Sequence, residues 1–225
     1  MKNLQKTGTY LESKIQSNRK IAFIFLVIGL ITLIFYGLGI IFISISIYFF
    51  IKASNYKSGH SGEQVTIEAL QNLPDSYYLI NDINLPKGYG NIDHIVLGSN
   101  GIFIIETKNF EGEIICSGDE WIRHYEGGLK ISMKGRPYHQ EDRDYGIKSP
   151  SKQVKGNALK LKQYIESKNI FSKSLRLWVE GIVVFTNNNV SLHCDSPTVP
   201  VFKVDQLCDY IRNKESKIKF SSHEL

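Results

Sequence analysis

The chain has 225 residues, 42% hydrophobic and 22% charged, enough for one domain plus an appendage and outside the range of a disordered polymer. Its formal charge of +5 is unevenly placed: residues 1–58 carry seven Lys/Arg against one acid, and the remainder carries 20 against 21. The basic balance therefore belongs to the N-terminal part and is no argument for nucleic-acid binding by the rest. Three cysteines, Cys116, Cys194 and Cys208, form an odd set without metal-ligand spacing. They argue against a disulfide framework or a zinc site and fit reduced thiols in a cytosolic compartment.

Residues 1–20 are a basic segment, and no charged residue occurs from Ile21 to Ile51. That run exceeds the ~20 apolar residues that span a bilayer. It is longer than the core of a signal peptide and lacks a small-residue cleavage site. One helix over the run would be about 46 Å long, against a hydrocarbon core of ~30 Å. Alternatively Gly37 and Gly39 turn the chain into a hairpin of two arms of about 12–15 residues, each roughly 20 Å long. Five cations precede the run and two follow it. A single crossing would place the C-terminal domain outside. A hairpin keeps both basic flanks and the domain on the cytoplasmic side, and is the favoured geometry.

Residues 52–60 read as a polar linker. Ser61 then caps a helix running to Leu73 before Pro74. Tyr77–Leu85 is strand-like, and Lys87–Gly90 is a turn. Ile92–Leu97 alternates like a half-buried strand, Gly98–Gly101 closes a hairpin, and Ile102–Thr107 is a central strand ending in charge. Gly112–Cys116 is a short strand, and residues 126–150 are a long loop. A helix over Lys152–Ser167 carries Val154, Ala158, Leu161 and Ile165 on one face. Leu177–Phe185 is another central strand, broken by Asn187–Asn189. Val201–Lys203 is a brief strand, Asp205–Asn213 a last helix, and 214–225 a polar tail. This order predicts an α/β domain over residues 61–213, a mixed sheet flanked by helices.

The chemistry lies in the block GNIDHIVLGSNGIFIIETKNFEG. A tight hairpin makes its two strands antiparallel, so Asp93 at the start of one lies beside Glu106 at the end of the next. Glu106 and Lys108 are two apart and share a face. Two carboxylates at one point of an apolar sheet are costly unless a cation sits with them. Mg²⁺, or Mn²⁺, suits an oxygen site of one or two carboxylates plus substrate phosphate. Each group also has a plainer reading. Asp93 can accept turn hydrogen bonds, and Glu106 with Lys108 can be a surface ion pair worth under ~1 kcal/mol. His94 points to the opposite face and reads as structural.

Asp, about a dozen residues, then Glu-x-Lys across a hairpin resembles the PD-(D/E)xK nuclease superfamily. Gly62-Glu63, NIDHIVLG, GIFIIETKNFEG, Trp121 and Gln153 together resemble its nuclease-related domain, NERD, over roughly residues 59–186. The resemblance implies a restriction-endonuclease-like fold, with Asp93 and Glu106 as metal ligands and Lys108 assisting the nucleophile. It implies Glu63 as a further acidic ligand and Gln153 as a positioning group. As first-turn helix residues, Glu63 and Gln153 also have ordinary explanations. The proline that often precedes the superfamily's Asp is here Ile92.

Residues 59–129 carry three Lys/Arg and eleven Asp/Glu, whereas 130–176 carry twelve and four. An acidic half facing a basic half suits a metal-dependent phosphodiesterase. Lys148, Lys152 and Lys155 are the nucleic-acid contacts this suggests, with Arg136 and Arg143 in the loop. The resulting expectation is a membrane-anchored nuclease acting on DNA or RNA, anchored in the bilayer through residues 21–51 with its domain cytoplasmic. The alternative is a non-cleaving, membrane-tethered scaffold for nucleic acid or protein.

Overall fold

A computed structural model describes residues 1–3, 9–36, 39–85, 91–131, 137–168 and 177–215. Gly37, the expected turn at 87–90, Arg136 and the tail beyond 215 lie outside them. The uncharged run lies in two helices, α1 (Thr9–Tyr36) and α2 (Gly39–Leu70). Both are long and apolar enough to cross a membrane. They pack antiparallel, because Ser46 Oγ donates to the Ala22 carbonyl at 2.8 Å and the Phe25 ring lies 6.1 Å from Phe42 and 6.3 Å from Phe49. Small residues allow the approach: a Cβ on Gly29 would meet Ile43 Cγ1 at 3.0 Å. Most other apolar side chains point outward, with Phe23 62% and Ile40 66% exposed.

The polar linker expected at 52–60 is instead helical, because α2 runs unbroken through it to Leu70. Ser61 is consequently mid-helix and caps nothing. None of residues 52–60 is proline, and the downstream half of α2 has a buried face of Gly62, Thr66, Ile67 and Leu70 to dock. Tertiary packing of that face sustains a helix that local polarity alone would not.

The main sheet has six strands: β1 (Lys2–Asn3), β2 (Tyr78–Asn84), β3 (Asn91–Gly98), β4 (Gly101–Lys108), β10 (Val179–Phe185) and β12 (Val201–Lys203), in that spatial order. β2, β3 and β4 are antiparallel neighbours, while β4–β10 and β10–β12 are parallel. Helix α3 (Pro150–Ser167) makes the crossover that a parallel β4–β10 pair requires. The α/β class and the mixed sheet flanked by helices are therefore as the sequence predicts. One face packs Ile95, Ile104, Val183 and Phe185 against Val154, Ala158 and Leu161 of α3. The other packs Val96, Phe103, Ile105 and Val184 against Ile67 and Leu70 of α2 and against Leu207 and Ile211 of α4 (Leu207–Asn213).

A second sheet was not expected. Its strands are β5 (Gly112–Ser117), β6 (Glu120–Tyr125), β9 (Arg143–Gly146) and β11 (Val190–Asp195), in the order β11-β5-β6-β9. The segment read as a loop at 126–150 supplies β9 and also a small hairpin of β7 (Gly128–Ile131) with β8 (Pro137–Gln140). These strands are short and polar, and β9 is exposed throughout, so they carry no apolar alternation to reveal them. The three thiols are free, Cys116 and Cys208 buried and Cys194 exposed.

Candidate active site

The β3–β4 hairpin turns at Ser99-Asn100, with Gly98 paired to Gly101 and Gly101 taking the positive φ of 148°. From His94 opposite Ile105, the next step of the ladder sets Asp93 opposite Glu106. The Thr107 N–H donates to Asp93 Oδ2 at 3.1 Å, which fixes that carboxylate across the strand pair. Glu106 and Lys108 do share a face, as their spacing requires. Lys108 Nζ donates to Glu106 Oε1 at 2.6 Å, while Glu106 is only 2% exposed. The other oxygen, Glu106 Oε2, is buried and has no hydrogen-bond partner among the described residues. Burial raises the Glu106 pKa against the opposing influence of Lys108. Asp93 is raised to about 7, first by burial and then by the negative charge of Glu106.

Glu63 approaches from α2, three turns beyond the end of the uncharged run. Gly62 makes this possible, since a Cβ there would meet Asn109 Cβ at 2.8 Å and Thr186 Oγ1 at 2.9 Å. One turn on, Thr66 Oγ1 and Thr107 Oγ1 are 3.0 Å apart and tie α2 to β4. The Glu63 carboxyl is raised to about 8, by burial and then by the charges of Asp93, Asp82 and Glu106.

Asp82 is an acid the sequence reading missed. It lies between the pairs Asn81–His94 and Ile83–Ile92, so Asp82, Asp93 and Glu106 form a row across β2, β3 and β4. Its φ of 52° is unusual for a residue other than glycine. Its carboxylate accepts from Asn91 Nδ2 at 2.8 Å and from the Tyr10 N–H of α1 at 3.3 Å. An isolated Asp in a strand gives no spacing signal. Only the register against Asp93 reveals it.

Asp93 opens onto a cleft of about 560 Å³ whose far wall is the first three turns of α3 and the residues just before it, with Lys148, Lys152, Gln153 and Lys160 lining it. Pro150 sits at the start of α3, where a missing N–H costs nothing, and Ser149 Oγ caps it by accepting from the Lys152 N–H at 3.2 Å. Asn157 Nδ2 donates to the Asn91 carbonyl at 3.2 Å and holds α3 beside β3. Gln153, Lys148 and Lys152 thus line the same cleft as Asp93. Lys155 does not. It binds Asp119 at 2.7 Å and Thr198 Oγ1 at 2.9 Å, outside this cleft. Helical periodicity decides this, because Lys155 lies about 160° around α3 from Gln153, at 100° per residue. His94 is structural, buried with Nδ1 2.8 Å from Asn81 Oδ1 and its pKa lowered to about 3 by burial.

Two carboxylates raised by burial and one orphaned carboxylate oxygen suit a hard divalent cation that keeps several waters. Among the described residues, no group of three or more His, Cys, Asp or Glu is gathered closely enough to enclose a metal by itself. Asp93 and Glu106 thus offer two carboxylates at one point, fewer protein ligands than a closed metal cage needs.

A mixed α/β sheet whose central hairpin ends in a buried acid pair and a lysine, facing a basic helix start, defines a restriction-endonuclease-like class of domain. Residues 58–186, more than half of the chain, match the nuclease-related domain, and the chain belongs to that family within the PD-(D/E)xK superfamily. An uncharacterized protein of Bacillus anthracis is 38% identical over 88 residues, which cover 36% of this chain and 41% of that relative's length. No solved structure matches.

Proposed function

We propose that this chain is a membrane-anchored, divalent-metal-dependent nuclease that hydrolyses phosphodiesters in DNA or RNA. The observation that carries the reading is the under-partnered pair Asp93–Glu106, with Glu106 Oε2 orphaned and Asp93 lining a cleft together with Lys148, Lys152 and Gln153. Asp93 and Glu106 hold Mg²⁺ or Mn²⁺, with Glu63 as an additional acidic group. Bound there, the ion supplies polarisation of a phosphodiester oxygen and a water of lowered pKa. Lys108 exchanges its bond to Glu106 for contact with the attacking water or the developing phosphate charge. Lys148 and Lys152 neutralise backbone phosphates, and Gln153 orients substrate or water at the start of α3.

Anchoring is supported by two helices long and apolar enough to cross a membrane. The helices are antiparallel and both basic flanks lie at one end, which supports a cytoplasmic domain by the positive-inside rule. Protease treatment of sealed vesicles checks this: cleavage of the domain from the outside would overturn it. The nuclease reading is tested with the full chain in neutral detergent, offered duplex DNA, single-stranded DNA and RNA with Mg²⁺ or Mn²⁺. Cleavage abolished by Lys108→Ala is the expected result. The Lys108–Glu106 pair satisfies one carboxylate oxygen without metal, which favours a second reading as a tethered, non-cleaving scaffold. Nucleic-acid binding without cleavage, unchanged by Lys108→Ala, would establish it.

A further inference from the structure

A second cavity, a groove of about 830 Å³, lies between α1 and α2 away from the acid pair. Its walls are Phe23 and Ile24 of α1 and Phe50 of α2, and its polar end is Arg19, Lys20 and Lys57. Arg19 and Lys20 directly precede Ile21, and Lys57 lies six residues beyond Ile51. Among the described residues, no ion pair or side-chain hydrogen bond engages any of the three. The nearest acid on α1, Glu12, lies 3.7 Å from His60 Nε2 instead. Phe23 is 62% and Phe50 45% exposed, so the apolar wall is uncovered by protein.

We propose that this groove binds one anionic glycerophospholipid of the leaflet facing the domain. The phosphate sits among Arg19, Lys20 and Lys57, and the upper acyl chains lie along Phe23, Ile24 and Phe50. Three unpaired cations favour a net negative headgroup over a zwitterionic one, whose own ammonium would meet them. A nucleic-acid backbone would satisfy the cations but leave the aromatic wall bare. Lys57 and Glu63 are six residues apart on one helix, about 9 Å along its axis. A lipid held there fixes the depth and rotation of α2, and so holds the candidate active site close to the headgroups. The inference rests on the reading of α1 and α2 as bilayer helices.

The test uses the full chain in neutral detergent, incubated with equal amounts of phosphatidylglycerol and phosphatidylcholine and examined by native mass spectrometry. Each basic residue near a bilayer surface is worth about a fivefold preference. Phosphatidylglycerol is therefore expected to be retained at least about tenfold over phosphatidylcholine. Arg19→Gln with Lys20→Gln and Lys57→Gln should bring the two within about twofold. Lys14→Gln with Lys168→Gln and Lys203→Gln, the same charge removed elsewhere, should leave the preference intact. Ser54→Trp, which fills the groove and keeps its charge, should also abolish it and decides the matter if the triple variant does not fold. Equal retention by the wild type, a preference that survives Ser54→Trp, or displacement of the lipid by a short oligonucleotide would overturn the proposal. Flotation separates this from the anchoring reading. A chain that floats with neutral vesicles yet shows no phosphatidylglycerol preference loses only the lipid site, and one that floats with no vesicle loses the anchor as well.

Discussion

Helix α3 stands between two acidic centres that its residues treat in opposite ways. On one side Asp119 is saturated: Lys155 Nζ binds both its oxygens at 2.7 and 2.8 Å, Ser151 Oγ donates at 2.7 Å, and Thr198 Oγ1 donates as well. Those donors hold its carboxyl well below the ordinary range. On the other side Asp93 and Glu106 share one lysine and one backbone N–H, keep a buried oxygen with no partner, and are pushed upward. Neighbouring residues of one helix, Lys152 and Lys155, serve the two centres. An acid whose lone pairs are all filled by the protein is a structural joint. An acid left short of donors in a buried place has capacity for something the protein does not itself supply.

If that contrast is functional, the two centres respond oppositely to removal. Asp93→Asn and Glu106→Gln are expected to lower cleavage on the order of a thousandfold while leaving the fold intact, because the charge they remove is one the fold disfavours. Asp119→Asn should leave the cleavage rate within about twofold and instead loosen the start of α3, where Trp121 Nε1 also donates to Ser151 Oγ at 3.0 Å. Cleavage assays beside thermal unfolding of the same variants separate the two. Loss of activity in Asp119→Asn equal to that in Asp93→Asn would dissolve the distinction.

The metal dependence should carry the same signature. A cation at Asp93 and Glu63 displaces protons that these carboxyls hold up to about pH 7 and about pH 8. Affinity for Mn²⁺ should therefore rise about fiftyfold from pH 6 to 7 and about tenfold from pH 7 to 8, then level off. Calorimetry in buffers of different ionisation enthalpy would detect the released protons. A flat profile, or one unchanged in Asp93→Asn, would remove metal from the site.

The lysines test the contrast more gently. Lys148→Gln and Lys152→Gln should each weaken nucleic-acid binding a few-fold and lower the slope of log K against log salt by about 0.9. Lys155→Gln, its side chain occupied by Asp119, should leave that slope unchanged.

How far this was legible in the sequence depends on which interaction carries each feature. Asp93, Glu106 and Lys108 were readable because hairpin antiparallelism and the two-residue period of a strand are local rules, and Asn100-Gly101 marks the turn. Gln153 was singled out only through the resemblance, and Lys152 only through the charge split between residues 59–129 and 130–176. Lys155 was misplaced because charge counting ignores the rotation of 100° per residue around a helix. Asp82 was invisible because its neighbourhood to Asp93 exists only through the β2–β3 register. The unbroken α2 was missed for a related reason. Residues 52–60 look like a linker locally, and it is docking of Gly62, Thr66 and Ile67 on the sheet that keeps them helical.

The smallest effect is also the most direct measure of the contrast, because the two centres give stability slopes of opposite sign with pH. In the metal-free protein Asp93 titrates near 7 when folded, against an ordinary value of 3.8. Between those values the folded state holds the extra proton, so stability falls as pH rises from about 4 to 7, and Glu63, raised to about 8, extends the fall to about pH 8. Asp119 is lowered from 3.8, so the folded state holds fewer protons there. Its contribution is complete above that value and is lost as pH falls below it. With a chelator present, the unfolding temperature of the wild type should drop by on the order of 5 °C from pH 5 to pH 8. Asp93→Asn should make that limb shallower and leave the acid limb in place, whereas Asp119→Asn should flatten the acid limb and leave the other unchanged. Divalent metal should abolish the fall toward pH 8 in the wild type alone, since a bound cation replaces the proton that Asp93 would otherwise keep. A wild type whose stability rises from pH 5 to 8 without metal would mean that Asp93 and Glu106 are satisfied like Asp119, and the case for a catalytic centre on this side of α3 would fall with it.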